Sequence, residues 1–455
     1  MPVRRQSGAA SSRQCMATER QKVTATKDPA GSSTTALMEE VLHRENLGAA
    51  LKRVCSNKGA PGIDGMTVDE LTGYLRQEWP RLKEELLSGT YEPLPVRVVD
   101  IPKPNGGTRM LGIPTVLDRT LQQAILQVIG PIFDATFSDA SYGFRRGRSA
   151  HQAVARAREY ISAGCRFVVD LDLENFFDRV NHDILMSRVA RRVEDKRLLR
   201  LIRRYLMSGL MVGGVVSPRT AGTPQGGPLS PLLSNVLLDD LDKELEKRGH
   251  SFVRYADDAN VYVRSQKAGA RVMASVTHFL ECKLQLRVNR VKSTVGRPWK
   301  LKFLGYSVTI DRAPRLKPAP ESVKRVKGRI RQIMRRGRGR NIQVVIEELN
   351  AYLRGWFGYF RMAEVKQVFD LLDQWIRRHL RQLMWLRWNT PKKRRQELRK
   401  LGIGEQEAQI ATSTGRGSWW CSSSPAMQGA ISKDLLTRWG LVSLDQMRRR
   451  QARAA

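Results

Sequence analysis

Two short runs of β-forming residues, Phe252–Tyr255 and Val261–Val263, flank a gap that holds Ala256, Asp257, Asp258, Ala259 and Asn260. Strand formers interrupted so briefly read as a tight hairpin, and this one carries adjacent carboxylates at its tip. Neighbouring carboxylates repel and gain nothing by packing, so a divalent cation is the usual reason to hold them together. A bare Asp-Asp pair is more often a solvated turn, but a stretch upstream supplies a further ligand. In Val168-Val-Asp-Leu-Asp-Leu-Glu-Asn-Phe-Phe-Asp178, strand alternation places Asp170 and Asp172 on one face. An aspartate from the end of that strand can complete a three-carboxylate cluster with Asp257 and Asp258. Such a cluster suits two Mg²⁺ ions about 3.5–4 Å apart. One ion activates an attacking hydroxyl, and both neutralise charge on a phosphoryl transition state. Hard cations of this kind favour oxygen ligands, hence Asp rather than His or Cys.

The charge balance points the same way. Lys plus Arg number 79 against 44 for Asp plus Glu, a formal net charge of +35 over 455 residues. That excess favours a polyanion, either nucleic acid or an acidic membrane surface. No run of about 18 apolar residues is present, so no membrane partner is expected and nucleic acid is. The five cysteines are scattered, with no Cys-x-x-Cys to signal zinc or a disulfide framework. No Gly-Lys dipeptide occurs, which excludes a P-loop ATPase.

The length leaves room for about three domains of ~150 residues. Residues 1–36 are acid-poor and rich in Ser, Thr, Ala, Gly and Arg, and read as a disordered leader rather than a transit peptide. From Leu37 to Tyr91 the pattern is helical, interrupted by the loop Asn57-Lys-Gly-Ala-Pro-Gly-Ile-Asp-Gly65. Val96 to Pro114 reads as two strands joined at Asn105-Gly106-Gly107. Helices follow over about 115–129, 150–162, 182–207, 230–248 and 267–284, and strand returns over 303–310. Residues 321–400 hold 22 Lys and Arg against 7 Asp and Glu in helical patterns carrying Trp356, Trp375, Trp385 and Trp388. A domain boundary is expected near 315, at Ala313-Pro-Arg-Leu-Lys-Pro-Ala-Pro320, and beyond about 402 the chain reads as a Gly/Ser-rich tail, then briefly helical.

Seven motifs accompany the Tyr255-Ala-Asp-Asp258 hairpin. They are Lys58-Gly-Ala-Pro-Gly-Ile-Asp-Gly65, Ile101-Pro-Lys-Pro-Asn-Gly-Gly-Thr-Arg109, Ser141-Tyr-Gly-Phe-Arg145, Asp172-Leu-Glu-Asn-Phe-Phe-Asp178, Thr223-Pro-Gln-Gly-Gly-Pro-Leu-Ser230, Asn289-Arg-Val-Lys292 and Phe303-Leu-Gly-Tyr306. In this order, over about 40–400, the chain resembles the group II intron-encoded reverse transcriptase/maturases. The resemblance implies an α+β right-hand polymerase. Fingers would span 37–165, a palm with an antiparallel sheet 166–315, and a helical thumb/maturase domain 316–400. The tail 401–455 would be a short remnant of a DNA-binding segment.

It also implies roles for individual residues. Asp172, Asp257 and Asp258 match the metal-binding aspartates, with the Leu173 carbonyl an added ligand, while Asp170 falls on a structural position. Mg²⁺ is the expected ion, with Mn²⁺ a substitute. Lys103 and Arg109 match residues that grip the incoming triphosphate. Phe177 matches a steric gate against a ribonucleotide 2′-hydroxyl, although core packing beside Phe176 is its plainer reading. Gln225 matches a nucleotide contact, or else caps the next helix. Lys292 is a candidate general acid for the pyrophosphate leaving group. Lys58, Gly59, Arg145 and Gly305 fall on template and primer contacts. Arg335, Arg336, Arg354, Trp356, Arg377 and Arg378 fall in the RNA-binding thumb, where the individual tryptophans read better as helix packing. The implied partners are group II intron RNA, an RNA template with a DNA or RNA primer, dNTPs and a DNA target site, in the bacterial cytoplasm with nucleoid association during integration. Many relatives carry a C-terminal His-Asn-His endonuclease. Only His278 and His379 follow the hairpin here, so target-strand cleavage is not expected. Two alternatives stay open: a splicing-only RNA-binding maturase, and a host-adopted, intron-less reverse transcriptase in DNA repair.

Overall fold

A computed structural model of the chain describes residues 36–102, 108–212, 215–217, 221–223 and 226–454. The leader, Lys103 and Gln225 lie outside the described residues, as does the side chain of Arg109. The strands, in chain order, are β1 Val96–Pro102, β2 Thr108–Ile113, β3 Phe167–Leu171, β4 Leu210–Val212, β5 Val215–Ser217, β6 Ser251–Tyr255, β7 Asp258–Val263, β8 Thr294–Gly296, β9 Tyr306–Val308 and β10 Leu316–Pro318. The chain divides into two compact units. One comprises residues up to 153 together with 167–296, and the other 154–166 together with 297–455.

The first unit holds two four-stranded sheets, ordered β2-β1-β4-β5 and β6-β7-β3-β8. The hairpin expected over 96–114 forms as β1 and β2, paired from Arg97↔Ile113 to Pro102↔Thr108. The short strands β4 and β5 join it through the parallel pair Val96↔Leu210. In the other sheet the central strands β3 and β7 run antiparallel, and Ala259 through Val263 are all buried. A strand covered on both faces reads as a continuous apolar run, which is why 259–263 lacks clean alternation. The helix Ser230–Lys247 is apolar around most of its circumference, with Leu232, Leu233, Val236, Leu237, Leu238, Leu241 and Leu245 buried, as a helix inside a core must be. The helix Gln266–Lys283 lies on β3, where a β-carbon on Gly269 would strike Val295.

The second unit is helical apart from the β9–β10 pair. Helices Pro320–Arg336, Ile342–Tyr359 and Lys366–Arg387 bury Val326, Ile330, Leu349, Leu353, Phe369, Ile376 and Leu380 in one core. The units part at 296/297, upstream of the expected proline-rich boundary near 315, because β9 and β10 pack with the helices that follow. Residues 401–455 are not a loose tail. They form short helices whose Ala408, Cys421, Met427, Ile431, Leu436 and Leu444 enter the same core. Two of the serines behind the Gly/Ser-rich reading are helix caps: Ser424 and Ser432 side chains accept from the Met427 and Leu435 amides. Asp373 accepts from the Leu444 and Asp445 amides at 3.0 and 3.2 Å, fixing the last helix.

Candidate active site at the carboxylate hairpin

β6 and β7 pair as far as Tyr255↔Asp258, leaving a two-residue turn of Ala256 and Asp257. The hairpin is therefore tighter than the five-residue gap suggests: Asp257 sits in the turn and Asp258 opens a strand. On the other side of β7, Asp170 faces Asn260 and Leu171 faces Ala259. With its amide nitrogen turned inward, Asn260 donates to the Asp170 carboxylate at 2.9 Å. The pairing ends at Leu171↔Ala259, so Asp172 follows directly on β3 while Asp258 precedes Ala259 in β7.

Leu173 bridges Val288, and that bridge uses its neighbours' groups: the Asp172 carbonyl accepts from Asn289 and the Glu174 amide donates to Arg287. In such a non-hydrogen-bonded pair, the central residue's own carbonyl points away from its partner. Lys292 Nζ stands 3.5 Å from Asp172 Oδ2, with side-chain exposures of 68% and 34%. Its loop is tied down by mutual contacts between Ser293 and the Asp172 backbone at 3.0 and 3.2 Å.

Among the described residues, no three acidic, histidine or cysteine side chains already converge closely enough to hold a metal ion. The donor set nevertheless fits a hard divalent cation. The three carboxylates are hard oxygen donors that follow β3 or close the β6–β7 hairpin, strands joined through β7, and Asp172 already draws a cationic ammonium to itself.

Sequence reading missed what holds the hairpin. Arg254 is fully buried, and its Nε lies 2.8 Å and 3.0 Å from the carboxylate oxygens of buried Asp242. Its Nη1 donates to Asn235 Oδ1 at 2.9 Å and to the Ala256 carbonyl at 3.0 Å. Asn235 in turn donates to the Gly143 carbonyl at 2.8 Å. Ala256 has φ +58°, a conformation that a residue with a β-carbon resists. A buried guanidinium gripping its carbonyl keeps the turn in that state. Burial pushes the Asp242 carboxyl up, while Arg254 pulls it down. The only sequence signal was an arginine inside a β-former run, its two partners lying seven positions apart on one helix.

The remaining candidates are distributed as follows. Phe177 is half-buried with its ring edge-on to Phe176 at 5.2 Å, and its carbonyl accepts from the Thr223 amide. The Gly222 α-carbon lies so close to Phe177 and Asp178 that a β-carbon would meet the Phe177 carbonyl at 2.7 Å, so this motif packs on the one carrying Asp172. In the 57–65 loop Lys58 is exposed with φ +46°, and a β-carbon on Gly59 would collide with Arg119, which donates to the Ala60 carbonyl. Arg109 pairs with Ile101 through its backbone. Arg145, expected as a template contact, is turned into its own loop. Its side chain is 6% exposed, pairs with Asp134 at 2.6 Å and donates to the Ser138 and Ser141 carbonyls. Those donors are spent on holding its own loop.

Gly305 belongs to the second unit, in a positive-φ turn whose carbonyl accepts from Ala319 and Ser322. In that unit Arg335, Arg336 and Arg354 are exposed, and Arg377 is half-buried. Trp356 packs on Phe360 at 4.8 Å and Phe369 at 6.1 Å, which is helix packing. Arg378 lies over Trp419 at 4.0 Å and donates to its carbonyl.

This geometry has counterparts in known proteins. Residues 101–308 match the family of reverse transcriptases (RNA-dependent DNA polymerases), and residues 323–402 match the group II intron maturase-specific domain. The chain is 35% identical to Protein YkfC of Escherichia coli (strain K12) over 300 residues, covering 57% of this chain and 78% of that protein. It is 26% identical to the group II intron-encoded protein LtrA of Lactococcus lactis subsp. cremoris over 357 residues, spanning 64% of this chain but only 59% of LtrA. Among solved structures, a chain of a partial Cas6-RT-Cas1--Cas2 complex aligns with a TM-score of 0.36 and 25% identity, over 54% of this chain and 42% of that one. The class is that of right-hand polymerases with an α+β fold. Within it, the chain belongs to the group II intron-encoded reverse transcriptase/maturase family. Divalent-metal dependence comes with that membership. Among the described residues no helix is long and apolar enough to cross a membrane.

Proposed function

We propose that this chain extends a DNA or RNA primer with dNTPs on an RNA template, and that it binds group II intron RNA, assists its splicing and copies it at a DNA target site. The single observation supporting the polymerase reading is the pairing of Leu171 with Ala259 and of Tyr255 with Asp258, which gathers the chain ends next to Asp172, Asp257 and Asp258 at neighbouring strands. Asp172, Asp257, Asp258 and the Leu173 carbonyl would hold two Mg²⁺ ions. When bound, such ions lower the pKa of the primer hydroxyl and neutralise charge on the transferring phosphoryl group.

The protein's own groups divide the remaining work. Phe177 sits where its ring limits the sugar pocket, a discrimination worth roughly 1–3 kcal/mol. Lys103 and Arg109 bind the triphosphate, and Gln225 contacts the nucleotide. Lys292 balances Asp172 between turnovers, and its proton serves the departing pyrophosphate. Lys58 and Gly59 guide the template and primer ends, and Gly305 shapes the turn on the thumb side. In the second unit Arg335, Arg336, Arg354 and Arg377 contact RNA phosphates as its thumb, and the cell's nucleoid is where integration would occur. The first unit supplies the fingers and palm.

Primer extension on an RNA template with Mg²⁺ tests the reading, wild type against Asp257→Ala. The expected loss is at least ~10³-fold, about 4 kcal/mol of barrier. Retained synthesis in the variant overturns the metal assignment.

A further inference from the structure

We propose that Phe144 is a substrate-contacting residue, its ring forming with Tyr255 an aromatic shelf for the terminal nucleotide of the primer. The inference rests on the hairpin being the polymerase site. Three observations carry it. First, Phe144 has φ +58°, a backbone state that costs a side-chain-bearing residue strain and that glycine would adopt freely. Second, the ring is left largely outside the core: it is 58% exposed, and its aromatic neighbour, Tyr255, is 6.5 Å away between centroids. Third, both sides of the residue are pinned. Gly143 lies so close to the hairpin that a β-carbon would collide with the Ala256 amide, and its carbonyl is held by Asn235 at 2.8 Å. The Tyr142 amide donates to the Arg254 carbonyl at 2.9 Å, and the Arg145 guanidinium is locked onto Asp134 and two carbonyls.

A loop fixed so firmly, with one large ring turned outward in a strained conformation, holds that ring ready for something that arrives. The hairpin beside it carries Asp257 and Asp258, so the arriving surface is the nucleotide whose hydroxyl those carboxylates serve. A ring without charge suits the flat base or the apolar edge of the sugar, and such stacking tolerates any sequence. The triphosphate, by contrast, needs cations and would gain nothing from Phe144.

The test measures primer-template affinity and single-nucleotide extension for wild type, Phe144→Ala, Phe144→Gly and Phe144→Trp. Ala and Gly should weaken productive primer-template binding about tenfold or more, with the KM for dNTP unchanged and Trp close to wild type. Phe144→Gly should melt at or above the wild-type temperature, because glycine relieves the strain, so that its loss of affinity cannot come from unfolding. An abasic primer terminus should weaken wild type toward the Ala variant and leave the Ala variant unchanged. Unaltered primer affinity in Phe144→Ala overturns the proposal while leaving the carboxylate reading intact, provided Asp257→Ala is inert. The same pattern with an abasic template position instead overturns the primer assignment. A wild-type protein that extends no primer at all removes the polymerase reading itself.

Discussion

The two units handle charge in opposite ways. In the first, charge is taken inside and consumed by architecture: Arg254 and Asp242 are fully buried, and Asp118 lies at 1% exposure among Thr115 and Tyr91. In the second, the core is aliphatic and aromatic, and the surplus of Lys and Arg over 321–400 is carried outward, as Arg335, Arg336 and Arg354 show. A carboxylate cluster has to be held to within fractions of an ångström, whereas a phosphate-binding surface needs only density of charge. Substitutions should therefore cost fold in the first unit and affinity in the second.

The sharpest way to break the comparison is Asp242→Ala. It leaves the Arg254 guanidinium buried without its counter-ion, which costs about 3–5 kcal/mol and should abolish primer extension along with stability. The pair Arg254→Met with Asp242→Leu, which keeps volume, should recover most of that stability in a urea melt. Activity should stay low, since the Ala256 carbonyl has lost its donor. Full activity in the double variant would show that the hairpin needs no such grip.

Acid offers a second, somewhat smaller contrast. Burial lifts the Asp118 carboxyl from 3.8 to about 6, against the pull of its Thr115 and Tyr91 donors. A carboxyl raised in the fold binds its proton more tightly there than in the unfolded chain. Its contribution is complete below about pH 4 and is lost as pH rises through about 6, about 3 kcal/mol at 1.36 kcal/mol per unit. His379 runs the other way: burial, then the charge of Arg331, lowers it from 6.5 to about 4. Its contribution is present above pH 6.5 and is lost as pH falls through about 4, by a smaller amount because the ring remains partly solvated. Melting from pH 4 to 7 should therefore show Asp118→Asn gaining on wild type as pH rises, and His379→Gln gaining as pH falls. Shifts of the same sign for both variants would remove the contrast.

What the sequence disclosed follows the same division. The hairpin, the strand that leads into Asp172 and the helices over 150–162, 230–248 and 267–284 were legible, because alternation, turn residues and apolar spacing are local signals. The grip of Arg254 on Asn235, Asp242 and Ala256 was not, because a buried ion pair joins residues whose local patterns are unremarkable. The partners of Arg145 were illegible for a related reason: a basic loop looks the same whether its arginine points at nucleic acid or at Asp134. Residues 401–455 read as a Gly/Ser-rich tail because short helices capped by Ser424 and Ser432 have that composition, and their burial depends on Asp373 and on apolar partners far away in the chain. Turn and charge composition is local, whereas what those groups touch is not.

The smallest expected change in stability belongs to the surface arginines, and it separates the units most cleanly. Arg335 and Arg336 close the helix Pro320–Arg336, and Arg354 lies in Ile342–Tyr359; all three are exposed. Replacing the three with Gln removes charge without uncovering apolar surface, so the melting curve should move by no more than about 0.5 kcal/mol. Each lost phosphate contact lowers the slope of log affinity against log salt by about 0.7–0.9, so the triple variant should flatten that slope by about 2–3 on structured RNA. Binding should weaken by a similar factor on every RNA sequence, since phosphate contacts carry no base information. An unchanged slope would mean that the exposed arginines face solvent alone, and the second unit's charge would then need another partner. A large loss of stability would instead mean that this unit, like the first, spends its charge on holding itself together.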